Sequence, residues 1–250
     1  MREAQSAWEH AQQSGAVAKI GEVDNYVFGL TEAFEFMRIY EAFRHEPKER
    51  VAPKLLRALS GPSRLIDETK KNSDGRNMTF ELAFAADWRL HGLDVELEEP
   101  DLVLRTKGFT FYTACKRPFR VESIRANVRD AQQQIVGQLE TKSEGFGLIV
   151  ISTSRIFSSG HKIFFARTMG DQRQLGDFWH NLLLENRGRF LNISFNPRIA
   201  GVVFHVSTPS DVGGGDQLAF MSFSNGYQIG DLTAFRALDE TMRALYPETT

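Results

Sequence analysis

Apolar residues in the first third of the chain recur at close to helical spacing. Over 31–43 they are Phe34, Met37, Ile39, Tyr40 and Phe43, with Phe36 widening the stripe. A short amphipathic segment follows at 51–59, where Leu55, Leu56 and Leu59 fall on one side and Gly61-Pro62 ends the run. Ser73-Asp74-Gly75 is a turn signal. It marks the expected boundary between an N-terminal helical extension, 1–74, and a core, 75–250. A further helix is expected from Asn77, a capping residue type, to Gly92, which suits a positive φ just past a helix end. Within it Phe80, Phe84 and Trp88 recur at i, i+4 and i+8 and predict one buried stripe. Glu81 borders that stripe on the side of Trp88, and Asp87 lies near the opposite edge.

The period then shortens. Leu, Val and Leu alternate with acids over 93–97, 101–105 is short and apolar, and 109–116 follows after the turn Thr106-Lys107-Gly108, which predicts a hairpin. Pro118 breaks the strand. The helix predicted over 121–139 carries the stripe Val121, Ile124, Val128, Ala131, Ile135 and Leu139. The continuous apolar run 147–153 reads as a strand covered on both faces. A helix is expected at 171–184, strands at 200–207 and 217–224 with a loop 208–216 between them, and a closing helix at 231–245. This order indicates an α/β fold with a mixed central sheet and helices on both faces.

Composition narrows the class. The chain has 250 residues, of which 42% are hydrophobic and 25% charged, enough for one elaborated domain or a domain with a helical arm. The net charge of -2 excludes a surface that grips a polyanion everywhere, so nucleic acid would need a local patch. The single cysteine, Cys115, fits a reducing compartment. The first 21 residues are polar and lack the apolar core of a signal peptide, and no apolar run approaches the length of a membrane span. The expectation is a soluble, cytoplasmic protein with no membrane partner.

Three elements carry the candidate chemistry. Glu81 lies on the first core helix, Pro100-Asp101 opens a strand, and Cys115-Lys116-Arg117 ends the next strand before a helix. The text FELAFAADWRLHGLDVELEEPDLVLRTKGFTFYTACKRP, followed by VESIRANVRDAQQQI, resembles the core of the PD-(D/E)XK nuclease superfamily over about 77–140. The resemblance rests on ordered context: helix glutamate, Pro-Asp at a hairpin, a strand ending in lysine, then a helix. It implies a restriction-endonuclease-like core and Mg²⁺- or Mn²⁺-dependent hydrolysis of DNA, with RNA as the lesser prospect. Asp101 would be the main metal ligand, and Glu81 would bind directly or through water. The backbone carbonyl of Cys115 would add an oxygen, and Lys116 would handle the attacking water.

One position departs from that pattern. Lys116, Ala114, Tyr112 and Thr110 share a strand face, and the family's second acid falls where Ala114 stands. The lost ligand and charge would weaken the hold on a hard cation. Either an acid from elsewhere fills the gap, the candidates being Glu99, Glu122 and Asp130, or the fold is a pseudoenzyme that binds nucleic acid or a protein without turnover. Lys116, Arg117, Arg120, Arg125 and Arg129 form the expected basic strip for phosphates. Gln132, Gln133 and Gln134 can hydrogen-bond a backbone or base, and Gln134 is the positional match to a site-lining glutamine of the family. Oligomeric state stays open, a homodimer being common where two strands are cut.

The remaining residues favour packing. Cys115 reads as a buried core thiol, with nothing near it in sequence to lower its pKa. His161, His180 and His205 lack ligand spacing, which argues against zinc. Gly213-Gly214-Gly215 lacks the lysine and hydroxyl that follow a phosphate cradle.

Overall fold

The computed structural model describes residues 20–62, 67–157, 164–166, 169–212 and 217–245. His161, the triple glycine at 213–215 and the polar segment up to residue 19 lie outside these. Three helices come first: α1 (Ile20–Phe43), α2 (Lys48–Leu59) and α3 (Asp74–Leu90). Strands β1 (Asp94–Glu96), β2 (Leu102–Thr106) and β3 (Phe109–Lys116) follow, then a 3-10 turn (Val121–Ser123) running into α4 (Ile124–Thr141). The rest comprises β4 (Phe146–Ser152), α5 (Ser154–Phe157), β5 (Phe164–Ala166), α6 (Met169–Leu191), β6 (Ile199–Val212), β7 (Gln217–Gln228) and α7 (Leu232–Leu245).

Among the described residues, seven strands form one sheet in the order β1-β2-β3-β4-β6-β5, with β7 also paired to β6. The strands β1, β2 and β3 are antiparallel neighbours, whereas β3, β4 and β6 run parallel. This is the mixed sheet that the element order predicts. The β2–β3 hairpin closes through Lys107 and Gly108, at φ 47° and 79°, as a two-residue turn with both central residues left-handed.

Several boundaries differ from the sequence reading. Helix α3 starts at Asp74 rather than at Asn77: the Asn77 N–H already donates to the Ser73 carbonyl at 2.9 Å, so Asn77 lies inside the first turn. Its other end does close as a Gly92 cap: the Gly92 N–H donates to the Arg89 carbonyl at 2.9 Å, and the Leu93 N–H to that of Trp88 at 3.1 Å. Residues 208–212 are strand rather than loop. β6 and β7 pair continuously from Gly201↔Gln228 to Val212↔Gln217, so cross-strand bonding overrides the turn-forming residues there.

The sheet separates two cores. On one face Leu82, Phe84, Ala85 and Trp88 of α3 pack with Leu102, Leu104, Phe111, Cys115, Leu148 and Val150. Ile39 and Phe43 of α1 and Val51 and Ala58 of α2 belong to the same core, so the N-terminal helices are built into it. On the other face Ile124, Val128, Ala131 and Ile135 of α4 cover Ala114, Ile149, Ile151 and Val202. Each fully buried aliphatic or Phe side chain contributes about 2 kcal/mol. At Gly147 an added Cβ would stand 2.6 Å from Ile135 Cγ2 and 2.4 Å from Ile199 Cδ1. The bare backbone at that point lets α4 lie close on the sheet.

Candidate active site

Asp101 precedes β2 by one residue, and the first ladder pair is Leu102↔Thr113. Asp101 therefore stands across from Ala114, on the face covered by α4. Its carboxylate is buried and held at both oxygens. The Cys115 N–H donates to Oδ2 at 2.6 Å, and Gln134 Nε2 donates to Oδ1 at 3.1 Å. The same Gln134 amide donates to the Pro100 carbonyl at 3.0 Å, while its Oε1 accepts from Lys116 Nζ at 2.6 Å. One glutamine of α4 thus bridges the acid that opens β2 and the lysine that ends β3.

Glu81 reaches this group from α3. Burial, followed by repulsion from Asp101, pushes its carboxyl up to about 7, against the attraction of Lys54, Arg57 and Lys116. Asp101 is raised by burial too, while the Cys115 N–H, Lys116, Gln134 and Lys54 oppose the rise. Two carboxyls that resist ionising together, next to a lysine, form a site able to accept a cation or to hold a proton near neutrality.

Glu81, Asp101, Lys116 and Gln134 are thus brought together. Other expected residues lie elsewhere. Arg117 is withdrawn from the basic strip: its side chain is 8% exposed and ion-paired to the fully buried carboxylate of Glu68. Glu68 also faces Arg155 Nη1 at 3.3 Å. A strand's alternation explains the split, since Lys116 and Arg117 leave β3 on opposite sides. Arg120, Arg125 and Arg129 are exposed. At about 100° per residue, Arg125 and Arg129 project from α4 roughly 140–180° away from Gln134. They make an outer surface rather than a wall of the site. Gln132 is engaged in structure, donating to the Ser194 carbonyl and accepting from the Asn196 N–H, each at 3.0 Å.

None of the three acids considered for the gap at Ala114 is drawn into the interior. Ala114 itself is fully buried against α4. Glu99 and Asp130 are exposed, and the exposed Glu122 faces Arg189 at 3.9 Å. Among the described residues no cluster of three or more His, Cys, Asp or Glu is arranged to hold a metal ion. Cys115 turns its thiol into the α3-side core, where burial pushes its pKa well up, so it is no nucleophile. His205 is buried at the edge of Phe84, its Nδ1 is 2.9 Å from Ser224 Oγ, and burial drives its pKa down to about 4.

Sequence reasoning missed Lys54 and the depth of Gln134's role. No local signal marks Lys54, because its relation to Glu81 exists only once α2 packs on α3. No helix among the described residues is long and apolar enough to cross a membrane. No family model matches the chain, and neither do curated proteins or solved structures.

Proposed function

We propose that this chain hydrolyses phosphodiester bonds of DNA with a divalent cation, from a two-carboxylate version of the PD-(D/E)XK site. The observation that carries the reading is the convergence of Glu81, Asp101 and Lys116 from three separate elements, with Gln134 bonded to both Asp101 and Lys116. The donor set fits a hard cation of low affinity. Two carboxyls raised by burial, Glu81 also by repulsion from Asp101, gain from a positive ion between them, and Mg²⁺ accepts one or two carboxylates with water and substrate phosphate. Asp101 and Glu81 would hold it, and it would supply charge neutralisation at the phosphate and a more acidic water.

The chain's own residues do the rest. Gln134 fixes the Lys116 ammonium beside Asp101, where it can orient a water or a phosphate oxygen. Glu81 gains its charge as pH rises through about 7, so cation binding and cleavage increase across that range. A second reading, binding of nucleic acid without turnover, is favoured by Ala114, which stands fully buried across from Asp101 where a further acid would complete the site.

The test is cleavage of plasmid, single-stranded DNA and RNA with Mg²⁺ or Mn²⁺, beside Asp101→Ala, Lys116→Ala and Ala114→Asp. The expected result is slow cleavage of DNA, lost by at least about a hundredfold in the first two variants. Cleavage that survives both substitutions in folded protein removes this site from the chemistry. A silent native protein that gains activity in Ala114→Asp makes the second reading correct.

A further inference from the structure

The packing of α2 on α3 brings the charge of a second lysine, Lys54, to bear on the carboxylates. At one end Arg57 Nε donates to Asp74 Oδ2 at 2.5 Å. The backbones meet there as well: a Cβ on Gly75 would lie 2.3 Å from Gly61 N and 2.9 Å from the Arg57 carbonyl oxygen. At the other end Arg50 and Val51 line one cavity of about 280 Å³ with Arg89 and Leu93. The two helices are therefore antiparallel, with 57 over 74 and 50–51 beside 89. Halfway along α2 is Lys54, and halfway along α3 is Glu81.

Lys54 also lies on the inward side of its helix. Val51 and Ala58 are buried, and Lys54 with Leu55 fills the turn between them at i+3 and i+4. Its charge acts on three groups reached from different elements: Glu81 of α3, Asp101 before β2 and Cys115 of β3. Arg57 acts on Glu81 as well, but its guanidinium is bound to Asp74. Among the described residues no ion pair or side-chain hydrogen bond engages Lys54, whereas Lys116 is bonded to Gln134.

We propose that Lys54 is a substrate-positioning residue of this site, a mobile ammonium supplied by the N-terminal helices that grips a phosphodiester oxygen opposite Lys116. The role rests on the nuclease reading and deepens it. Two carboxyls and two lysines make a site close to neutral, and an anionic backbone entering it meets one lysine fixed by Gln134 and one able to follow the substrate. The long, flexible stem of lysine suits that second task. The N-terminal helices then belong to the active site, and the substrate path runs between α2 and the β2–β3 end of the sheet.

The test measures binding of a short fluorescein-labelled DNA duplex, and steady-state cleavage, by native protein and by Lys54→Met, Lys54→Arg, Lys116→Met and the exposed control Lys48→Met. The expected result is about tenfold weaker binding and a correspondingly higher KM in Lys54→Met with kcat little changed, recovery in Lys54→Arg, and no effect in Lys48→Met. Native-like binding in Lys54→Met while Lys116→Met is weakened overturns the role of Lys54 and leaves the nuclease reading standing. Failure of native protein to bind or cleave DNA overturns the nuclease reading, and the gripping role with it.

Discussion

Lys116 and Arg117 are neighbours in the chain and belong to two electrically different regions. Lys116 faces α4, where its ammonium meets Gln134 beside two carboxyls that resist ionising together. Arg117 turns the other way, to a fully buried Glu68 that also faces Arg155. In the second region two guanidinium groups share one carboxylate, and all three side chains are shielded from water. The Arg155 guanidinium also donates to the Glu68 carbonyl at 3.0 Å and lies 4.5 Å from the Phe119 ring centre. In the first, charges of like sign are held close by the fold. Buried ion pairs join elements together, whereas carboxyls that repel one another are available to a cation. A count of basic residues in sequence does not separate the two.

The largest effect should come from breaking the buried ion pairs of Glu68. Glu68→Ala leaves Arg117 and Arg155 buried without their carboxylate and should cost about 3–5 kcal/mol in urea unfolding. A loss under about 1 kcal/mol would mean that the cluster does not join the segment at Glu68 to the sheet, and the contrast between the regions would fail.

The opposite sign is expected at the site. Glu81 has its folded pKa raised to about 7 from a usual value of 4.5. The unfolded chain therefore loses its proton first, and stability falls as pH rises from about 4.5 to 7, then levels off. Glu81→Gln should abolish that slope and be more stable than the native protein above pH 7, by about 2 kcal/mol after allowance for partial solvation. Below pH 4 the two should coincide. Thermal melts across this range provide the check, and a native protein that gains stability between pH 4.5 and 7 through Glu81 would reverse the assignment.

The smallest effect belongs to the exposed arginines. Arg125→Ala and Arg129→Ala should each change stability by less than about 0.5 kcal/mol. If DNA extends onto the outer face of α4, each should lower the slope of log affinity against log salt by about one. Unchanged slopes would confine the phosphate contacts to the lysines of the site.

Much of this was legible in the chain. The alternation over 109–116 gives the faces of β3, and Thr106-Lys107-Gly108 gives the hairpin that sets Asp101 across from Ala114. The stripe of α4 follows from Ile124, Val128, Ala131 and Ile135, and the buried face of α3 from Phe84 and Trp88. These depend on period and turn chemistry, which are local. The late strands were read too short, because residues 208–212 lack strand character and are held by pairing with β7. Arg117 was read as a surface cation, since its partner Glu68 lies 49 residues away.

The sequence by itself determined the layers, the hairpin, and the proximity of Asp101 to Lys116, because backbone geometry and side-chain period act over a few residues. The tertiary structure alone decided which charges are spent and which are free. It gave Arg117 to Glu68, joined Lys116 to Asp101 through Gln134, and brought the charge of Lys54 to bear on Glu81. Electrostatic energy depends on distance and burial in space, and neither is a property of position along the chain.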